Sequence, residues 1–86
     1  MNYEPEKIII TVEHKNKKIS LDMELPTKVP INILRSQILD ILKNLYPDDF
    51  INYSNCRLAC DNKILNADET LITAGIYDGS ILRLIN

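Results

Sequence analysis

The apolar positions of this chain switch between a period of two and a period of three to four, and the switches divide it into elements. From Lys7 to Glu13, KIIITVE is rich in β-branched residues; as a strand it places Ile8, Ile10 and Val12 on one face and Ile9 and Thr11 on the other. His14 to Lys18 is polar and short enough for a hairpin connection. It leaves His14 solvated beside Lys15, Lys17 and Lys18, or in contact with an acidic partner. Ile19 to Leu25 then alternates without error, with Ile19, Leu21, Met23 and Leu25 on one side and Ser20, Asp22 and Glu24 on the other. Pro26 ends this half-buried strand.

The period lengthens over Ile31 to Leu45, INILRSQILDILKNL. Ile31, Leu34, Ile38, Ile41, Leu42 and Leu45 form one helical stripe, and polar residues fill most of the rest. Pro30 suits the first helical position, because the missing N–H has no partner there, and Pro47 stops the helix. Ile33 and Leu39 fall off the stripe, where they meet the loop that follows. That loop, residues 46–55, is an irregular connection with Tyr46, Phe50 and Tyr53. These rings either close the open end of the core or form a partner-binding loop.

The remaining elements are short. CRLAC reads as a strand with Leu58 and Cys60 inward, Asp61 and Asn62 turn the chain, and Ile64 and Leu65 form a brief further strand. Leu71 and Ile76 anchor a compact loop, Asp78-Gly79 is a turn pair, and Ser80 to Ile85 is a last strand with Leu82 and Leu84 inward. Residues 1–86 thus make a single domain, with residues 1–6 a flexible lead-in. A chain this small buries roughly 60% of its unfolded surface, which suits one sheet on one helix and leaves little room for a deep cleft.

Composition changes this picture little. With 45% hydrophobic residues, 26% charged residues and a net charge of −2, the chain is an ordinary globular sequence and lacks the basic clusters of a nucleic-acid binder. No signal peptide and no run long enough to cross a bilayer is present, so the expected compartment is the cytoplasm and no membrane insertion is expected. Cys56 and Cys60, four residues apart on a strand, lie roughly 13 Å apart, too far for a disulfide, and no second pair completes a zinc site. Both are expected to pack in the core. Asp48-Asp49 and Asp68-Glu69 have no histidine, nucleophile or glycine-rich loop near them in sequence, so they read as turn and cap residues. Neither catalysis nor a cofactor is expected.

The order strand, strand, long helix, strand, short strand, anchored loop, strand resembles the ubiquitin-like β-grasp fold, an α+β architecture with a mixed four- to five-stranded sheet on one main helix. The likeness is carried by KKISLDMELPTKVPINILRSQI, by RLACDNKIL and by ETLITAGIYDGSILRL, with Thr70-Leu71, Gly75-Ile76, Asp78-Gly79, Leu82 and Leu84 at the spacings of that superfamily. Conjugated members continue into a tail ending in Gly-Gly, whereas this sequence reads Leu84-Ile85-Asn86, so covalent conjugation is not expected of it. Ala59 stands where ubiquitin carries the central isoleucine of its recognition patch. VPINILRSQILDIL and AGIYDGSILRLI are most similar to the YukD/EsaB group, small cytoplasmic ubiquitin-like proteins associated with type VII secretion in Gram-positive bacteria. Related domains are fused to membrane components of actinobacterial machines. The resemblance implies an accessory or regulatory protein-binding role in the export of small helical WXG-type proteins, with components of the secretion machine as partners. Two other readings are a ubiquitin-like interaction domain of an unrelated assembly, and a modifier or sulfur carrier without its tail.

The resemblance also places a candidate surface. In a β-grasp the first and last strands are parallel neighbours and CRLAC flanks the last strand. Residues alternating out of the core then gather on the outer sheet face: Ile9, Ala59, Ile81 and Ile85, bordered by Arg57 and Arg83. Contiguous exposed apolar surface marks a partner site, whereas aliphatic residues scattered singly are ordinary surface.

Overall fold

The computed structural model describes residues 5–14, 16–50 and 56–85. Strands β1 (Lys7–His14) and β2 (Ile19–Pro26) form a hairpin, followed by helix α1 (Ile31–Leu45) and a single helical turn, α2 (Pro47–Phe50). Strands β3 (Arg57–Cys60), β4 (Lys63–Ile64) and β5 (Ile81–Ile85) complete a sheet of order β2-β1-β5-β3-β4. β1 and β5 are parallel, and the other neighbours are antiparallel. This is the mixed sheet on one main helix that the resemblance implies.

Period two divides the sheet into two faces. Ile8, Ile10, Val12, Met23, Leu25, Leu58, Leu82 and Leu84 are buried in one core with Ile31, Leu34, Ile38 and Leu42 of α1. Each such side chain contributes roughly 1.5–3 kcal/mol when removed from water. The packed line of α1 runs through Leu34, Ile38 and Leu42, and Leu39 joins the core on the flank where the Arg35 Nη1 donates to the Cys56 carbonyl at 2.9 Å. The opposite flank is open. Ile41 on that flank is 38% exposed. Leu45 stays in line with Leu34 and Ile38 but, as the last residue of α1, is exposed too, and so is Ile33, which was expected to meet the aromatic loop.

Pro30 is the N-cap of α1, with ψ 143°, not its first helical residue. No side chain caps the helix; the loop carbonyls of Glu69 and Ala67 accept from the amides of Ile31 (2.7 Å) and Asn32 (3.0 Å). These bonds satisfy donors that the first turn leaves without intrahelical partners, and they pin the loop to the helix. At the other end Pro47 stops α1 and starts α2, where an irregular connection was expected. The turn carries Phe50, fully buried, to the core, and Tyr46 packs beside it. These two rings close the core; Tyr53 lies outside the described residues.

His14 corrects the expectation of a solvated turn. β1 runs one residue further than its β-branched run, so His14 continues the inward parity of Ile8, Ile10 and Val12, pairs with Ile19 and is only 4% exposed. Its ring meets Phe50 edge-on with centroids 6.2 Å apart. Desolvation, and then the charge of Lys17, hold its pKa below the ordinary histidine value.

The two turns on which the outer face depends have local causes. Asp61 and Asn62 both have positive φ (51° and 67°), the pattern of a two-residue hairpin turn for which Asp and Asn are suited. At Asp78-Gly79, the Asp78 Oδ1 accepts from the Ile9 amide at 2.7 Å and the Gly79 amide donates to the Ile9 carbonyl at 2.8 Å. Gly79 has φ 89°, which suits glycine. Leu71 and Ile76 anchor the loop between them in the core.

Candidate functional site: the outer face of the sheet

The cross-strand register builds a surface from the residues that alternate out of the core. Arg57 stands opposite Ile85, Ala59 opposite Arg83 on one side and Ile64 on the other, and Thr11 opposite Ile81. Strands β3, β4 and β5 form a shallow depression of about 450 Å³, with Arg57 and Thr11 on the same face but outside its lining. Ala59, Ile64, Ile81, Ile85 and Arg83 line it, with Asp61 at the turn. The methyl group of Ala59 is the physical reason for the hollow, because larger side chains surround it on both neighbouring strands.

The six residues named from sequence are not all placed alike. Ile81, Ile85, Arg57 and Arg83 are exposed on this face, as parity requires. Ala59 shares the face but is buried, 4% exposed, as a floor and not a contact surface in its own right. Ile9, 51% exposed, does not line the depression: it stands on β1 beside the Asp78-Gly79 turn, two residues before the Thr11–Ile81 pair. Ile64 is exposed and lines the depression, and it was missing from the set read in the sequence. The inward placement of Leu65 was the available signal, because it turns Ile64 outward next to Ala59.

Arg83 and Arg57 differ electrostatically. The Arg83 Nε donates to the Glu13 Oε1 at 2.7 Å across the β1–β5 register, which directs this guanidinium toward β1. Arg57 has no ion pair among the described residues and is the freer cation at the Ile85 end. A surface of three isoleucines around a small floor, with one engaged and one open guanidinium, offers apolar burial and a charge contact. It offers no nucleophile.

The remaining chemistry-bearing groups are dispersed. Cys56 and Cys60 are free, and burial pushes both thiols up, opposed at Cys56 by Arg35 and reinforced at Cys60 by Asp61. Among the described residues no group of three or more His, Cys, Asp or Glu side chains could hold a metal ion. No helix among them is long and apolar enough to cross a membrane.

Residues 7–84 match the sequence profile of the family described as WXG100 protein secretion system (Wss), protein YukD. No curated protein matches the chain. Among solved structures, the ubiquitin-like domain of the Mycobacterium tuberculosis type VII secretion system protein EccD1 superposes with a TM-score of 0.74 at 23% identity, covering 93% of this chain and 98% of that one. Ubiquitin of Caldiarchaeum subterraneum gives 0.71 at 23% identity, over 93% and 92% of the two chains. A chain of the MycP5-free ESX-5 inner membrane complex gives 0.75 at 16% identity, over 93% of this chain and 21% of its own length. These likenesses establish the ubiquitin-like β-grasp fold.

Proposed function

This chain belongs to the YukD family of the WXG100 protein secretion system, and from that premise we propose that it is a non-catalytic, cytoplasmic binding module that serves type VII export as an accessory or regulator. The binding surface is the outer sheet face, with Ile81, Ile85 and Arg57 as contacts, Ala59 as the floor, Arg83 at the rim and Ile9 as an outlying contact. Its partner is a protein component of the secretion machine, bound without covalent attachment, cofactor or nucleic acid. One observation carries this reading: exposed isoleucines from β4 and β5 converge on a hollow that the core does not need. Apolar side chains gathered around a concavity are what a partner anchor fills.

The test is export of WXG-type proteins from the source organism with this gene deleted in frame, then restored. The wild-type chain is expected to restore export, and Ile81→Asp with Ile85→Asp to leave it absent while remaining folded. Export unchanged by the deletion, with the machine active, overturns the secretion role. Full restoration by the folded double variant overturns the surface.

A further inference from the structure

The sheet has one long edge with no strand neighbour among the described residues. β2 ends the strand order, and it pairs with β1 in unbroken register from Lys7 opposite Pro26 to His14 opposite Ile19. No bulge interrupts it, and its one proline is its last residue. The Thr27 amide donates to the Glu6 carbonyl at 3.0 Å, one step beyond the Lys7–Pro26 pair. Bonded and non-bonded pairs alternate along an antiparallel ladder, so the odd-numbered residues of β2 bond to β1. The backbone N–H and C=O groups of Ser20, Asp22 and Glu24 consequently point away from the sheet. Such a row on an unbulged strand is a template for another strand.

The side chains beside that row specify what kind of strand fits. On the outer face the same three residues present a hydroxyl and two exposed carboxylates. Asp22 accepts the Thr11 hydroxyl at 2.6 Å through Oδ1, and Glu24 has no ion pair among the described residues. On the helix side Leu21 is half-buried and Ile41 is exposed. Arg35 marks the flank of α1 that faces β3; at about 100° per residue Ile41 falls on the opposite flank, toward β2.

We infer that β2 accepts an added strand from a partner protein, an extended segment in which Lys or Arg alternates with aliphatic residues. Its basic side chains lie against Asp22 and Glu24, and its aliphatic ones against Leu21 and Ile41. A second copy of this chain fits less well, because antiparallel pairing of β2 with β2 about its middle sets Asp22 opposite Asp22 or opposite Glu24, which is destabilising, whereas a basic strand meets both carboxylates favourably. The site is separate from the depression, which lies across β3, β4 and β5, so it does not depend on the function proposed above.

The experiment titrates the full 86-residue chain, labelled with ¹⁵N, with a capped peptide of alternating Lys and Val, about nine residues long to match the edge. Three further peptides alternate Glu and Val, or carry N-methyl groups on every Lys or on every Val of the Lys–Val sequence. The expected result is amide shifts and slowed exchange at Ser20, Asp22 and Glu24, with the Glu–Val peptide at least about tenfold weaker. Methylating one residue set abolishes binding and methylating the other spares it, since only alternate amides face the edge. In Asp22→Lys with Glu24→Lys the preference reverses to the Glu–Val peptide. Absence of shifts on β2 at about 5 mM peptide, or equal binding of both methylated peptides, overturns the proposal.

Discussion

The two faces of the sheet are built from the same strands with opposite economies. On the inner face every β1 and β5 position of one parity is buried against α1, and His14 and Phe50 close the end. On the outer face the alternate positions hold isoleucines in water, one engaged arginine and one open arginine. Folding requires the first set; nothing in the fold requires the second. The difference teaches where to look for function, since exposed apolar surface on a small domain is retained at some cost in solubility.

The largest expected effect lies on the inner face. Leu34→Ala and Leu82→Ala, both fully buried, should each cost about 2–5 kcal/mol, read as a lower urea midpoint with unchanged slope. A loss below about 1 kcal/mol at both positions contradicts the division of labour.

His14 sharpens the comparison because it is the titratable side chain on the buried parity of β1. Its folded pKa lies below the ordinary value of 6.5, so the unfolded chain binds the proton more readily. The stability it supports is complete above 6.5 and falls as the pH drops through that value toward the lowered folded pKa. Thermal unfolding measured from about pH 8 to about pH 5.5 should show this decline, and His14→Gln should flatten it. An equally steep decline in His14→Gln assigns the effect to other groups.

Substitutions on the outer face should be small for stability. Ile81→Asp and Ile85→Asp each lie within about 0.5–1 kcal/mol of wild type, since both side chains are substantially exposed. Smallest is Glu13→Gln. Its partner Arg83 is half exposed, so loss of the pair should shift stability by no more than about 0.5 kcal/mol, less still at high salt. A cost above about 2 kcal/mol at either site makes the outer face structural.

The sequence carried most of the fold because punctuation and period agreed. Pro30 and Pro47 bracket α1 at Ile31–Leu45, and strict alternation predicts the buried set of β2, apart from half-buried Leu21. What escaped depended on neighbours distant in sequence. Ile41 lies nearer the line of Ile38 than Leu39 does, about 60° against about 100° on the other side, yet Leu39 is the buried one, because the flank of Arg35, which contacts Cys56, is the covered one. His14 was hidden by lysine-rich surroundings that signal a turn, although the parity of β1 already turned it inward. α2 is one turn long, too short to show a helical period. At the outer face, parity named which residues point outward; it could not show that Ala59 lies beneath its neighbours, or that Ile9 stands apart while Ile64 completes the hollow.

Crosslinking in the source organism, with a photoreactive residue replacing either Ile81 on the outer face or Ile33 on the exposed side of α1, tests the central claim most directly. The account predicts that position 81 yields an adduct with a component of the secretion machine, identified by mass spectrometry, and that position 33 does not. An adduct with such a component from position 33 and none from position 81 contradicts it.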